Sequence, residues 1–315
     1  MLESTKIISV ALNPAIDRGI EVPNFKIGAH IPGRQLFRRA AGKAVNLARV
    51  LSTLEVPSML LGFVGRSQQK YFEASLKSKY LSCQLFAVEG NTRENITLVD
   101  PVNKIETHIR DRGFEVTKAD LNRLKKKLAL VCREETIVIF SGSLPVGMDE
   151  MNFVELVQIC QMNGAKVCVD SAGYVLRACK PMKPWLIKPN IEELSEMLET
   201  KIDSPERVIE FRNIIEEFVS VAIVTAGAEG AWLISKQELL RGKVRIDSNE
   251  VKNTVGCGDA MLAGFLTGIT KNYTLYDSFA YALAVATAAA VSITPADISK
   301  DNIARFLNCI EMSKL

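Results

Sequence analysis

The second half of the sequence alternates between short apolar runs and longer amphipathic segments. The spacing of the apolar residues predicts strands at 136–140, 166–169, 185–188 and 222–225, with helices at 118–131, 151–161, from 191, and at 205–218. Strands that alternate with helices form a parallel sheet that helices cover on both faces. The pattern therefore predicts an α/β fold, and a buried first strand at 7–12 belongs to the same sheet.

Two stretches interrupt this alternation with short strands in which charged and apolar residues are interleaved. They lie at about 15–40, where glycines and prolines punctuate the chain, and at about 94–112. Half-polar strands suit a small flap better than the core of a buried sheet. We find no internal repeat and no linker, so the sequence predicts one domain over residues 1–315 that carries a flap.

The composition is that of a globular protein with a large core and little net charge. Of 315 residues, 48% are hydrophobic and 24% are charged, and the formal net charge is +3. This balance requires neither nucleic acid nor an anionic membrane as a partner. The longest uncharged run, 278–296, is rich in alanine and threonine, which favours a buried helix over a membrane span.

The cysteines and the N-terminus indicate a cytoplasmic protein. The seven cysteines are odd in number and form no CxxC pair, which favours reduced thiols over a disulfide framework or a zinc site. Residues 1–6 contain no apolar core of a signal peptide.

Polar side chains follow several predicted strands at the point where each strand ends. These residues are Asn13, Asp17, Ser141, Asp170, Lys188, Asn190 and Thr225. In open parallel sheets, the ligand lies at the carboxyl ends of the strands. We therefore expect these side chains to converge on one site.

The stretch from Gly256 to Asp259 offers the parts of a phosphoryl-transfer site. Two glycines flank Cys257 and leave the backbone amides of the turn uncovered, and the first N–H groups of the helix that follows attract an anion. Asp259 stands where it could accept a proton from an attacking hydroxyl. The simpler alternative is an aspartate that caps a helix after a glycine turn.

The two common nucleotide motifs are missing. Lys43 follows Gly42, but Ala44 occupies the place of the P-loop serine or threonine, and a dinucleotide fingerprint fails at Met261. Lys43 could bind a phosphate as a point charge, and Arg93 could bind one through two parallel N–H donors of its guanidinium group. Taken singly, each is more often a surface charge.

Two further turns have both a functional and a structural interpretation. Lys188, Asn190 and Glu193 place a cation, an amide and a carboxylate at a strand-to-helix turn, where they could support hydrated magnesium or simply begin a helix. The glycine-rich segment 224–231 fits either a nucleotide-facing loop or an ordinary hairpin turn.

Six short motifs occur along nearly the whole chain, at 12–17 (LNPAID), 41–49 (AGKAVNLAR), 92–95 (TREN), 141–145 (SGSLP), 186–194 (LIKPNIEEL) and 253–259 (NTVGCGD). In this combination and order, the sequence resembles the phosphofructokinase B branch of the ribokinase-like sugar kinases, and within it the 1-phosphofructokinase and tagatose-6-phosphate kinase group. The resemblance implies a ribokinase-like three-layer α/β/α sandwich with a mostly parallel central sheet. It also implies that the half-polar strands form a small β-sheet lid, often used for homodimerisation.

The resemblance implies roles for individual residues. The base would be Asp259, and the anion hole for the transferring phosphoryl group would be formed by the amides of Gly256, Cys257 and Gly258. ATP would lie against Lys188, Thr225, Gly227 and Gly230, and Mg²⁺ would be supported through water by Asn190 and Glu193. The sugar would be held by Asp17, Gly42, Lys43 and Asn46, and its phosphate by Arg93, with Ser141 and Lys43. Whether a monovalent cation is also required stays open.

The sequence departs from the family pattern mainly on the sugar side. Ala41 and Ala44 replace two glycines of the sugar-binding turn, Glu55 replaces a glycine after the helix, and Asn253 stands where serine or aspartate is usual. Cys257 replaces alanine in the anion hole and would make activity sensitive to thiol oxidation. The base is retained, so the departures leave the chemistry intact and put the identity of the sugar in doubt.

These observations predict an ATP-dependent kinase of a ketohexose phosphate, with fructose 1-phosphate as the first choice and tagatose 6-phosphate as the second. One alternative is a kinase of an unphosphorylated sugar or nucleoside. Arg93 argues against it, because a buried guanidinium without a phosphate would have no partner. The other alternative is a sugar-phosphate and ATP sensor with weak turnover, against which Asp259 argues, since a sensor needs no base.

Overall fold

Residues 7–315 are described by a computed structural model of the chain. Their strands are β1 (Ile7–Ala11), β2 (Ala15–Glu21), β3 (Arg34–Ala41), β4 (Ser58–Gly65), β5 (Leu81–Val88), β6 (Arg93–Asp100), β7 (Ile105–Arg110), β8 (Ile137–Ser141), β9 (Lys166–Asp170), β10 (Leu186–Ile187), β11 (Val221–Thr225), β12 (Ala231–Ser235), β13 (Leu239–Val244) and β14 (Ile310–Lys314). Their α-helices are α1 (Lys43–Thr53), α2 (Gln69–Ser75), α3 (Lys118–Val131), α4 (Glu150–Met162), α5 (Gly173–Ala178), α6 (Ile191–Leu198), α7 (Arg212–Phe218), α8 (Cys257–Thr270), α9 (Leu275–Ala290) and α10 (Lys300–Leu307). The prediction about a signal peptide concerns residues 1–6, which lie outside the described range.

Ten strands form one central sheet in the order β14-β13-β12-β11-β10-β9-β8-β1-β4-β5. The strands from β11 to β5 in this order run parallel, and β12, β13 and β14 extend the sheet antiparallel. The chain moves from β1 outward to β4 and β5, then returns to place β8 on the other side of β1. Such a reversal is a topological switch point, where open α/β sheets bind their ligands.

Helices cover both faces of the central sheet because its strands are apolar on both sides. Helices α3 to α7 pack on one face, in a core that includes Phe140 and Trp232. Helices α1, α8, α9 and α10 pack on the other, in a core that includes Phe265 and Phe279. The predicted α/β/α sandwich with a mostly parallel sheet is thereby confirmed.

A second sheet of four strands, ordered β3-β2-β6-β7, is built from the two half-polar stretches. Its inner strands β2 and β6 are parallel, and β3 and β7 flank them antiparallel. Strand β2 follows β1 after the turn 12–14, and β3 leads through Gly42 into α1. The second sheet is therefore attached to the carboxyl edge of the central sheet, beside the switch point.

Several boundaries differ from those that the sequence pattern predicts. The sequence pattern also predicts a helix at 68–79, but α2 ends at Ser75. The Ser78 hydroxyl accepts a hydrogen bond from the Tyr80 amide, and the chain turns there into β5. The helix expected at 205–218 is a 3-10 helix up to Phe211 and becomes α-helical only from Arg212. Strands β5, β13 and β14 were not predicted.

The uncharged run at 278–296 lies mostly within α9, whose inward side is buried. The helix ends at Ala290, five residues before Pro295. Among residues 7–315, no helix is both long enough and apolar enough to cross a membrane.

Candidate active site

The loops that follow β1 and β8 meet at the switch point of the central sheet. The side-chain amide of Asn13 donates to the Ser143 hydroxyl at 3.3 Å and to the Leu144 carbonyl at 3.2 Å. These bonds join the two loops directly, so the polar residues that end β1 and β8 belong to one surface, as the sequence predicts.

Helix α8 begins at this surface with a glycine turn. Gly256, its N-terminal cap residue, has φ +82°, a conformation that an L-amino acid side chain disfavours. A Cβ atom at this position would lie 2.9 Å from the Ala296 backbone nitrogen. The N–H of Ala260 is the one that bonds back to the Gly256 carbonyl, at 2.9 Å. The Cys257 N–H donates to the Thr254 carbonyl at 3.4 Å. Early helix amides suit an anion, so the anion-hole role of Gly256, Cys257 and Gly258 stays a prediction.

Asp259 lies in the first turn of α8 and is only 5% exposed. Its Oδ2 accepts a hydrogen bond of 2.9 Å from the Asn46 side-chain amide on α1. Burial, and then the negative charge of Asp170, raise the pKa of Asp259 to about 7, against the opposing effects of Asn46, Lys188 and Lys43. A carboxylate with this pKa is suited to exchange a proton with a substrate near neutral pH.

Asp170, at the end of β9, is the centre of a buried charge network. It is fully buried, and its Oδ1 lies 3.1 Å from Lys43 Nζ and 3.3 Å from Lys188 Nζ. Its Oδ2 accepts a hydrogen bond of 3.0 Å from the Ser141 hydroxyl. Burial disfavours the charged carboxylate, but the two lysines outweigh it and hold the pKa of Asp170 below its ordinary value. The sequence placed Asp170 at the site edge but gave it no role.

Lys43, at the start of α1, and Lys188, directly after β10, both contact Asp170. Burial opposes the Lys43 charge, but Asp170 and Glu193 raise its pKa, and its Nζ lies 3.3 Å from Glu193 Oε1. Lys188 is only 4% exposed, and a Cβ atom placed on Gly258 would lie 3.0 Å from its Nζ. The glycine therefore lets a cation sit directly beside the N-terminus of α8.

Asn190 and Glu193 form a capping box at the start of α6. Asn190 Oδ1 accepts from the Glu193 amide at 2.7 Å, and Glu193 Oε2 accepts from the Asn190 amide at 2.9 Å. This is the helix-start arrangement that the sequence left as an alternative. The Asn190 amide oxygen keeps a second lone pair, and Glu193 Oε1 lies 3.3 Å from Lys43 Nζ. A water-mediated metal role for these two residues stays a prediction.

The glycine turn between β11 and β12 has the hairpin geometry that the sequence left as one interpretation. Gly230 has φ +90°, and a Cβ atom there would meet the Gly242 carbonyl oxygen at 2.2 Å, so its role is steric. Gly227 has φ +56° with no atom within 4 Å of such a Cβ, so it borders open space. Thr225 pairs with Asn190 in an isolated parallel bridge, which places the turn beside α6.

The second sheet contributes Asp17 and Arg93. Asp17 Oδ1 accepts a hydrogen bond of 2.9 Å from the Asn95 side-chain amide. Arg93 donates from Nη2 to the Asn13 carbonyl at 2.9 Å and from Nε to the Pro14 carbonyl at 3.4 Å. The premise that Arg93 lacks a partner unless a phosphate is bound is therefore wrong, because the fold itself supplies two acceptors.

Gly42 packs against the turn 12–14 that follows β1. It has φ +103°, and a Cβ atom there would lie 3.1 Å from Pro14 Cα. Direct contacts join Lys43, Ser141, Asp170, Lys188 and Glu193 into one network, and a separate hydrogen bond joins Asn46 to Asp259. The charges of Asp170, Lys188 and Lys43 all act on Asp259, and Asp17 and Arg93 lie on the adjoining sheet.

Comparison with known proteins places the chain in a family. A family profile described as pfkB family carbohydrate kinase matches residues 5–300. The 1-phosphofructokinase of Bacillus subtilis (strain 168) is 30% identical over 287 residues, which cover 91% of this chain and 93% of that protein. A tagatose-6-phosphate kinase of Staphylococcus epidermidis (strain RP62A) is 29% identical over 272 residues, covering 85% and 86%. The crystal structure of phosphofructokinase-2 from Escherichia coli with substrates and products shares the fold, with a TM-score of 0.90 at 20% identity, and covers 96% of this chain and 99% of that one.

Proposed function

The chain belongs to the pfkB family of carbohydrate kinases, and we propose that it transfers the terminal phosphoryl group of ATP to a hydroxyl of a ketohexose phosphate. The products are a bisphosphate and ADP. Fructose 1-phosphate is the preferred acceptor, because the relative described above with 30% identity is named 1-phosphofructokinase. Tagatose 6-phosphate is second, on the corresponding name of the staphylococcal relative.

The observation that carries the proposal is the environment of Asp259. The carboxylate is buried beside the amide-rich start of α8, accepts a hydrogen bond from Asn46, and has a pKa of about 7. Asp259 accepts the proton of the sugar hydroxyl as its oxygen attacks the phosphorus atom in line with the departing ADP oxygen. A capping role alone does not require the raised pKa.

The charge that spreads over the transferring group is stabilised by fixed positive groups. We assign this role to the first amides of α8, at Gly256, Cys257 and Gly258, and to the Lys188 ammonium group next to Gly258. Because Asp170 holds both Lys188 and Lys43 in place before substrate arrives, no reorganisation is needed during the reaction.

The same surface suits a nucleotide with a hydrated cation. Oxygen atoms of Asn190 and Glu193 are the donor type that Mg²⁺ prefers, and they would hold it through water. When bound, Mg²⁺ neutralises phosphate charge. The nucleotide would rest against the residues that border the turn after β11, namely Lys188, Thr225, Gly227 and Gly230.

The sugar lies between the second sheet and α1. Asp17, Gly42, Lys43 and Asn46 hold it, and the sugar phosphate reaches Arg93 with Ser141 and Lys43. Asn46 Oδ1 and Asn95 Oδ1 are buried and have no protein partner among residues 7–315, so they are open to hydroxyl donors. Within a single domain, the second sheet acts as a lid that excludes water and as the contact of a homodimer. We place the enzyme in the cytoplasm.

The test is ADP release with Mg-ATP and a panel of fructose 1-phosphate, tagatose 6-phosphate, fructose 6-phosphate, unphosphorylated sugars and nucleosides. Turnover confined to sugar phosphates is the expected result. Asp259→Asn should lose about 10²–10⁴-fold of the turnover while it still binds ligand. Asp301→Asn, an exposed aspartate in the first turn of α10, is the matched control and should retain it.

Two results would point to the alternatives. Turnover of an unphosphorylated sugar or a nucleoside in preference to the phosphates would replace the proposed substrate class. Binding of ATP and a sugar phosphate with turnover that Asp259→Asn leaves unchanged would indicate a sensor.

A further inference from the structure

Arg39 shares a sheet face with Asp17. The two residues stand directly opposite each other in the antiparallel pair β2–β3. Directly opposed residues in such a pair project to the same side of the sheet. Asp17 in turn stands opposite Asn95, which donates to its carboxylate. Arg39 is therefore on the face that carries the proposed sugar residue.

The Arg39 side chain has unfilled hydrogen-bond donors. Within the described residues, its buried Nε and Nη2 atoms have no hydrogen-bond partner, and the same holds for Nη1 of Arg49. The other terminal nitrogen of Arg49, Nη2, donates a hydrogen bond of 2.6 Å to the Ala40 carbonyl. Buried charged donors without acceptors are costly, so these nitrogens are suited to an acceptor that the chain does not supply.

Arg93 differs from Arg39 in this respect. Both lie on the second sheet, but Arg93 already donates to the carbonyls of Asn13 and Pro14. Arg39, and not Arg93, therefore carries buried guanidinium donors that suit an anion.

The charges around Arg39 also favour an anion. Burial lowers the pKa of Arg39, and burial followed by the charge of Arg39 lowers the pKa of Arg49 to about 10. Asp17 and Asp297 act in the opposite direction, but neither fills any of the three unpartnered nitrogens. Two neighbouring guanidinium groups with open N–H donors match the oxygens of a phosphate group.

Arg49 is close to the reacting centre along α1. It lies three residues after Asn46, so the two side chains share one side of the helix, about 5 Å apart along its axis. Asn46 contacts Asp259. An anion held by Arg39 and Arg49 would thus lie at the edge of the proposed sugar site rather than at a remote surface.

We propose that Arg39 and Arg49 form an anion subsite of the substrate cleft that binds a phosphate-type oxyanion, with Arg39 as the principal donor. The inference rests on the proposed function. The oxyanion is carried either by the sugar phosphate or by the terminal phosphate of ATP, and the two sources share this chemistry. Arg39 lies outside all six sequence motifs, and Arg49 is the last residue of the motif at 41–49, in which only Gly42, Lys43 and Asn46 have been given a role.

The test compares Arg39→Met with Arg38→Met. Arg38 is the neighbouring residue, alternates to the other face of β3, and forms an exposed ion pair with Glu94 at 2.9 Å. Melting temperatures are measured without ligand, with inorganic phosphate, with fructose 1-phosphate and with ATP, and KM is measured for each substrate.

The expected result for Arg39→Met has two parts. Without ligand its melting temperature equals or exceeds that of the wild type, because an unpaired buried charge has been removed. The stabilisation by inorganic phosphate is lost, and KM rises about tenfold or more for the substrate whose phosphate occupies the subsite. A rise for the sugar phosphate or for ATP identifies the source, while Arg38→Met changes none of these values.

The inference would be overturned by an Arg39→Met variant that melts lower without ligand yet keeps the phosphate-induced shift and both KM values. A wild type that phosphate and both substrates fail to stabilise would also overturn it. If the phosphate shift depends on Arg39 but no sugar phosphate is turned over, the subsite stands and the proposed function falls.

Discussion

The side-chain amide of Asn46 donates a buried hydrogen bond of 2.9 Å to Oδ2 of Asp259. The two residues are 213 positions apart, one near the start of α1 and the other in the first turn of α8. This bond fixes the orientation of the carboxylate, while the Asn46 amide oxygen remains without a protein partner within residues 7–315. One asparagine can thus orient the proposed base and accept a hydrogen bond from the proposed sugar substrate.

The pH dependence of turnover follows from Asp259. Burial and the charge of Asp170 raise its pKa to about 7, so the base is protonated at lower pH. We expect kcat/KM to fall about tenfold per pH unit below about 7. A profile of kcat/KM from pH 5 to 9 checks this, and an acidic limb with a midpoint near 4 would contradict it.

The same shift predicts a stability gain in Asp259→Asn. The pKa of the folded state lies above the ordinary value of about 3.9, so the contribution of Asp259 to the free energy of unfolding decreases as pH rises from about 4 to about 7. At pH 8 the variant should therefore melt higher than the wild type, although it should have lost most of its turnover. Thermal unfolding at pH 5 and pH 8 measures this, and a lower melting temperature at pH 8 would refute the argument.

Replacement of Asn46 by alanine should move the acidic limb of the pH profile of kcat/KM to higher pH. The hydrogen bond from Asn46 lowers the pKa of Asp259, so its loss lets burial and Asp170 raise that pKa further. Asn95→Ala is the matched control, because the Asn95 amide contacts Asp17 instead of Asp259. An acidic limb at the same pH in Asn46→Ala and the wild type would show that the hydrogen bond does not lower the pKa of Asp259.

Replacement of Asp170 by asparagine should destabilise the protein and lower the pKa of Asp259. Without this carboxylate, the buried ammonium of Lys188 loses its ion-pair partner, which costs about 3–5 kcal/mol. Ser141→Ala removes one hydrogen bond to the same carboxylate and should cost about 1 kcal/mol. Urea unfolding compares the stabilities of the two variants. In the pH profile of kcat/KM, the acidic limb of Asp170→Asn should lie at lower pH than that of the wild type. Similar losses in both variants would mean that the ion pairs contribute little.

Cys257 should react slowly with thiol reagents, contrary to the oxidation sensitivity that its position in the glycine turn suggests. Burial and the neighbouring Asp259 raise the pKa of its thiol to about 11, so the reactive thiolate is scarce at neutral pH. Alkylation followed residue by residue with mass spectrometry checks this, and Cys257→Ala should retain turnover. Asp259→Asn, which removes the neighbouring charge, should label faster at Cys257; fast labelling in the wild type would contradict the expectation.

Local patterns were sufficient for most of the architecture. Short apolar runs and the helical spacing of apolar residues depend only on near neighbours in the chain, and they located β1, α3 and the parallel strands β8 to β11. The same patterns did not identify the 3-10 helix before α7 or the edge strand β14. Strand β14 is largely exposed and takes its strand conformation from pairing with β13.

By itself the sequence determined the α/β class, the polar residues at the strand ends and the glycine turn before Asp259. Only the tertiary structure decided which charges have partners. Arg93 donates hydrogen bonds to backbone carbonyls, whereas buried donors of Arg39 have no partner within residues 7–315. Asp170 forms ion pairs with both Lys43 and Lys188. The physical reason is that burial and ion pairing depend on residues distant in the chain, which are brought within hydrogen-bond distance only when the sheets and helices pack together.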